Sequence, residues 1–223
     1  MIVFEDVSHD YGGGRLFGDV SIKLEQGSFH FLTGPSGAGK STFLKLCYGE
    51  LTPSAGKVLV MNKDLQGLSR NDLAGMRQRI GVVHQDCQFL DHLSVEQNVA
   101  LPLSATGRPV PDSDVADLLS WVGLASHAEA LPPTLSGGER QRAALARAVI
   151  SAPNMLLADE PTGNLDWDMS QRLMSLMIEL NRMGTAILIA THDLQLIRFA
   201  KSQINARVLR IARRKLQVAG ADL

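Results

Sequence analysis

Phe29-His30-Phe31-Leu32-Thr33-Gly34-Pro35-Ser36-Gly37-Ala38-Gly39-Lys40-Ser41-Thr42 reads as an apolar strand running into a glycine-rich loop and then a helix. Gly34 to Ser41 fits G-x-x-x-x-G-K-[ST] at every fixed position. Glycines let backbone N–H groups turn inward around phosphate oxygens. A helix starting near Lys40 aims its positive end at the same anion. The Lys40 ammonium neutralises phosphate charge, and the Ser41 hydroxyl suits Mg²⁺. The loop by itself fits an ATPase, a GTPase or a small-molecule kinase.

Working outward, short apolar runs alternate with helical segments. Ile2–Val7, Val20–Leu24, Val58–Met61, Ile80–Val83, Met155–Ala158 and Ala186–Ala190 read as further strands. Lys40–Gly49 and Asp168–Arg182 read as helices. The stretch from Ser94 to Ile150 is mostly helical, broken by turn-rich Gly107–Pro111 and by Pro132-Pro133. Strand–helix–strand alternation predicts a parallel sheet with crossover helices, so an α/β core interrupted by a helical lobe.

The run Met155-Leu156-Leu157-Ala158-Asp159-Glu160 is an apolar strand ending in two carboxylates. Parallel sheets bind ligands at the carboxyl ends of their strands. There Asp159 would hold Mg²⁺ and Glu160 would polarise an attacking water. Mutual repulsion should raise one proton affinity and favour a base. Further back, Leu135-Ser136-Gly137-Gly138-Glu139-Arg140 opens a helix, with Ser136 as N-cap and Glu139 completing a capping box. Its two glycines leave N–H groups open to an anion.

LSGGE about 95 residues after the phosphate loop, then LLADEP, then Thr191-His192-Asp193, resembles the ABC ATPase family over essentially the whole chain. The resemblance implies a RecA-like P-loop NTPase core with an N-terminal antiparallel β subdomain and an inserted α-helical signature subdomain. Residues 1–85 and 154–223 would form the core and 86–153 the helical part. It implies ATP and Mg²⁺ as ligands, and a head-to-tail homodimer with ATP sandwiched at the interface. Ser136, Gly137, Gly138 and Glu139 would then serve the opposite subunit's ATP. Tyr11 matches the aromatic residue that stacks on adenine, and Gln85 the glutamine that senses Mg²⁺ and water. Asn164-Leu165-Asp166 matches the loop that contacts the partner subunit, and His192 the histidine that reaches the γ-phosphate.

MIVFEDVSHDY, Arg79–Asp86, Asn98–Leu103 and DEPTGNLD are similar to the cell-division branch of that family, with lipoprotein-release and macrolide-export ATPases as near relatives. That branch implies a four-span integral membrane partner and signalling to cell-wall hydrolases rather than transport. Three departures stand out. His84 precedes Gln85 where relatives commonly carry an aromatic, near the expected docking groove. Arg140 follows Glu139 where relatives often have Gln. Cys47-Tyr48-Gly49 is unusual after the phosphate-loop helix.

The 223 residues suit one large domain or a domain with an inserted lobe. Hydrophobic residues at 45% and charged at 20% match a soluble globular chain, and a net charge of −1 gives no pull toward nucleic acid. Cys47 and Cys87 lack metal or redox spacing and read as buried apolar residues in a reducing compartment. His9, His30, His84, His92 and His127 show no ligand spacing. No apolar run reaches the roughly 18 residues of a membrane span, and the N-terminus lacks a signal pattern. The expected place is the cytoplasm, peripheral on the inner face of the membrane. Arg198, Lys201, Arg207, Arg210, Arg213, Arg214 and Lys215 follow one another with no intervening acid. They read as a solvated terminal strand pair, or as a contact with anionic lipid or a partner's acidic residues. A soluble ABC-type ATPase acting on DNA or ribosomes usually carries a long coiled-coil insertion or two cassettes. A P-loop kinase or GTPase has no use for LSGGE and His192.

Overall fold

The computed structural model describes residues 1–12, 14–163 and 165–218. Among these described residues ten strands form two sheets. The first is antiparallel, in the order β2 (Arg15–Leu24), β1 (Ile2–Asp10), β4 (Ala55–Val60), β5 (Lys63–Asp64). The second runs β10 (Lys215–Val218), β9 (Ala206–Ala212), β3 (Phe29–Thr33), β8 (Ala186–Ala190), β7 (Met155–Asp159), β6 (Ile80–Val83). Its strands are mutually parallel except for the β9–β10 hairpin. The architecture is therefore an α/β core with an antiparallel β unit, as the sequence predicts.

The central strands are mostly apolar because both faces are covered. On β3, Phe29 and Phe31 face one layer and Leu32 the other; on β8, Ile187 and Ile189 oppose Leu188 and Ala190. One layer joins the second sheet to α1 (Lys40–Cys47) and the antiparallel sheet, around Phe4, Phe17 and Phe43. Phe4 stacks on Phe43 with ring centroids 4.4 Å apart. The opposite layer holds α5 (Gly137–Val149), α6 (Trp167–Arg182) and α7 (Leu194–Lys201). A third cluster lies between α3 (Val95–Ser104), α4 (Asp112–Trp121) and α5.

Several boundaries shift from expectation. β1 and β2 extend through the polar tips Ser8–Asp10 and Arg15–Asp19, because hairpin pairing such as His9 with Phe17 continues past the apolar alternation. The helix expected over Lys40–Gly49 stops at Cys47, with Tyr48 as C-cap and Gly49 at φ 68°. β4 starts at Ala55 and ends before Met61, whose φ of 51° leaves the strand. Helix α2 (Arg70–Arg77) and helix α7 were not foreseen. Among the described residues no helix is long and apolar enough to cross a membrane.

Candidate functional site

β3 delivers the chain to the phosphate loop. Gly34 has φ 154°, and a β-carbon there would lie 2.7 Å from the Ile211 carbonyl oxygen of β9. Gly39, at φ 101°, forms the N-cap of α1; a side chain there would meet Leu16 at 2.9 Å. These two positions demand glycine on conformational and steric grounds. The α1 N-terminus has no side-chain cap and no acid in its first turn, so its dipole is left for an anion. Lys40 Nζ donates to the Gly34 carbonyl at 3.0 Å.

The loop is the floor of a cavity of about 640 Å³. Gly34, Pro35, Ser36, Gly37, Gly39, Lys40, Ser41 and Thr42 line it, together with Tyr11, Gln85, Asp159, Glu160 and His192. Ala38 does not; its N–H closes a turn onto the Pro35 carbonyl at 3.1 Å. Leu16 and Gly163 add to the wall. Sequence reasoning missed Leu16, since an apolar residue in a strand carries no mark of a ligand wall. Tyr11 is 63% exposed and reaches the Thr42 hydroxyl at 3.0 Å. The His9 and Tyr11 rings meet nearly at right angles, centroids 4.8 Å apart.

The strand pleat separates the two adjacent carboxylates. Asp159 continues the alternation of Met155 and Leu157 toward α1, where the Ser41 hydroxyl lies near it. Burial raises its proton affinity above the usual carboxylate value; Ser41 opposes the shift, and the neighbouring Glu160 charge adds to it. Repulsion between the pair is therefore the lesser cause. Glu160 leaves the strand at φ 45°, with its N–H on the Ala190 carbonyl at 2.8 Å. Its Oε1 lies 2.9 Å from His192 Nδ1 and 3.8 Å from Lys40 Nζ. His192 follows β8 and is largely exposed, while its neighbour Thr191 is buried.

Ser136, Gly137, Gly138 and Glu139 stand outside this cavity. They start α5 with the expected capping box: Glu139 Oε2 accepts from the Ser136 N–H at 2.8 Å, and the Glu139 N–H donates to Ser136 Oγ at 3.3 Å. Asp166 is also outside the cavity; it caps α6 by accepting from the Met169 N–H at 2.8 Å. Asn164 lies outside the described residues. His84 is partly buried, its ring nearly perpendicular to that of Tyr48, and burial lowers its proton affinity.

The basic C-terminal residues do not form one face. Arg207 and Arg210 are three apart on β9, so they project from opposite sides of the sheet. Arg213 and Arg214 make the β9–β10 turn with φ 51° and 63°, beside exposed Lys215. The Arg214 carbonyl accepts from the Gly18 N–H at 3.0 Å.

The profile of the ABC transporter family matches residues 17–163. The Escherichia coli K12 cell division ATP-binding protein FtsE is 46% identical over 200 residues, covering 88% of this chain and 90% of that protein. The Bacillus subtilis FtsE is 38% identical over 209 residues, covering 92% of each. Among solved structures, the dimeric post-hydrolysis state of the ATP-binding cassette MJ0796, bound to ADP and Pi, superposes with a TM-score of 0.87. Its identity to this chain is 29%, over 97% of each chain. The phosphate-loop cavity, the carboxylate pair at its mouth and these likenesses agree: the chain belongs to the ABC transporter family, as an FtsE-like cassette that hydrolyses ATP to ADP and phosphate.

Proposed function

We propose that this cassette is the ATPase subunit of an FtsE/FtsX-type complex. Two copies close around ATP and pass the motion to an FtsX-like integral membrane partner, which regulates cell-wall hydrolysis in division. The observation that carries the catalytic half is the Glu160 carboxylate, held between Lys40 and His192 at the mouth of the phosphate-loop cavity. The division role rests on the FtsE relatives, named as cell division proteins.

In this reading the loop from Gly34 to Thr42 wraps the phosphates with backbone N–H groups, and Lys40 neutralises their charge. Tyr11 stacks on the base. Glu160 orients water for in-line attack on the γ-phosphate and takes up its proton, with His192 and Gln85 steadying the nucleophile. Ser41, Gln85 and Asp159 offer hydroxyl, amide and carboxylate oxygens to one cavity, the hard donor set that Mg²⁺ takes. When bound, Mg²⁺ supplies charge neutralisation at the β- and γ-phosphates. The signature residues Ser136, Gly137, Gly138 and Glu139 of one copy cover the ATP of the other, and Asp166 lies at the same contact. ATP favours the closed pair because it binds both faces.

We place the protein in the cytoplasm, peripheral on the inner membrane face, with no nucleic-acid partner. Residues 1–85 and 154–223 act as the catalytic core and 86–153 as the helical subdomain. Arg213, Arg214 and Lys215, adjacent and exposed at the β9–β10 turn, are the part of the basic segment best suited to anionic lipid. Binding to anionic liposomes that falls with added salt supports that contact; salt-independent or absent binding contradicts it.

Glu160→Gln tests the catalytic half. The carboxamide keeps the shape but takes no proton, so ATP turnover should fall at least about a hundredfold while ATP affinity stays within about threefold. Turnover near that of the parent would remove Glu160 as the base.

A further inference from the structure

The backbone just after Gln85 adopts a conformation that L-residues avoid. Cys87 and Gln88 are both left-handed, with φ 56° and 44°. Each such residue is strained and needs offsetting contacts around it. Here one side chain answers both. Arg147, on the last turn of α5, donates from Nη1 to the Gln88 carbonyl at 2.7 Å and from Nη2 to the Cys87 carbonyl. Its guanidinium carbon also lies 4.6 Å from the Phe89 ring centroid. No carboxylate pairs with Arg147 among the described residues, so these carbonyls and the ring are what hold the cation. A second tie comes from the same helix: buried Gln141 donates from Nε2 to the Gln85 carbonyl at 3.3 Å.

We infer that Arg147 is a positioning residue for ATP hydrolysis: it clamps the left-handed turn at Cys87–Gln88 and thereby sets where Gln85 enters the nucleotide cavity. The inference rests on the role given to Gln85 above. The planar fork of arginine spans two neighbouring carbonyls, whereas a lysine ammonium is a single point. Without the fork both carbonyls lose their partner and the turn relaxes toward ordinary φ. Gln85, two residues upstream, then moves. Because α5 begins at Ser136, the same clamp ties the signature loop of a copy to the glutamine of its own ATP site. Motion at one site is carried to the other along a single helix.

A double-mutant cycle on the full chain tests this, with steady-state ATP hydrolysis measured for Arg147→Met, Arg147→Lys, Gln85→Ala and Arg147→Met/Gln85→Ala. Arg147→Met should lower kcat about tenfold with KM for ATP within about twofold, and Arg147→Lys should recover only part of the loss. In the Gln85→Ala background, Arg147→Met should cost little more, because its route to the reaction is already gone. Additive losses in the double variant, or a parent-like kcat in Arg147→Met, overturn the inference alone. A Gln85→Ala variant as active as the parent overturns the reading of the cavity and the inference with it. If Arg147→Met does not fold, Arg147→Lys completes the same cycle under the same criteria.

Discussion

Asp159 and Glu160 are neighbours in sequence and opposites in setting. The pleat turns Asp159 toward Ser41 and α1, while a left-handed φ of 45° swings Glu160 toward Lys40 and His192. The motif at the strand end and the separate roles expected of its two acids are legible in the sequence, but their different burial is not, since adjacency says nothing about it. Burial is the main reason Asp159 holds its proton more tightly than usual. A carboxylate with a raised proton affinity costs the fold as the pH rises through that raised value, where the buried charge appears. At neutral pH Asp159→Asn should therefore raise the Tm of the Mg²⁺-free protein, by on the order of 2 °C, while weakening the Mg²⁺ dependence of hydrolysis. A lowered Tm in differential scanning fluorimetry would contradict this account of Asp159.

Secondary-structure elements are legible in the sequence where chemistry or burial leaves a period and obscure where neither does. β6 and β8 match because strands covered on both faces are apolar runs, and β3 matches because His30 interrupts its run only once before Thr33 ends it. Helix α2 escaped because only Met76 of its eight residues is buried, leaving no apolar stripe. Helix α7 is masked in the sequence because Asp193 reads as part of the Thr191-His192-Asp193 motif, although it is also the N-cap, accepting from the Gln195 and Leu196 N–H groups at 2.9 and 3.0 Å. Helix α5 was read from its Ser136–Glu139 capping box. Ser136→Ala removes that cap and should cost about 1 kcal/mol, or about 3 °C in Tm, with hydrolysis falling far more steeply than stability. A hydrolysis loss no larger than the stability loss would leave Ser136 with capping alone. Strand β3 carries a pH dependence of its own. His30 is buried with an unpartnered Nδ1, and burial, helped by Arg207, pushes its pKa from 6.5 down to about 4. The folded chain thus refuses a proton that the unfolded chain accepts. Stability is full above pH 6.5 and falls as the pH drops toward 4. His30→Phe should flatten that limb in urea melts; an unchanged limb would exonerate His30.

In the whole molecule the proposed ATP site lies in two separated parts. The cavity gathers the phosphate loop, Gln85, Asp159, Glu160 and His192, yet the signature residues that begin α5 stand apart from it. The motifs and their family resemblance made both parts legible. The links between them were not legible, because Arg147 and Gln141 grip backbone carbonyls, which leave no trace in residue type. The basic C-terminal run shows the converse: continuous in sequence, it is divided in space by the faces of β9.

In the proposed cycle a second copy completes the site through its signature loop. Sedimentation of Glu160→Gln with and without Mg²⁺-ATP, beside Glu160→Gln/Ser136→Arg, checks this. Glu160→Gln should form a dimer only with ATP, and the dimer should be lost when arginine fills the place of Ser136. A chain that stays monomeric at saturating ATP, or an ATP-dependent dimer indifferent to Ser136→Arg, would contradict it.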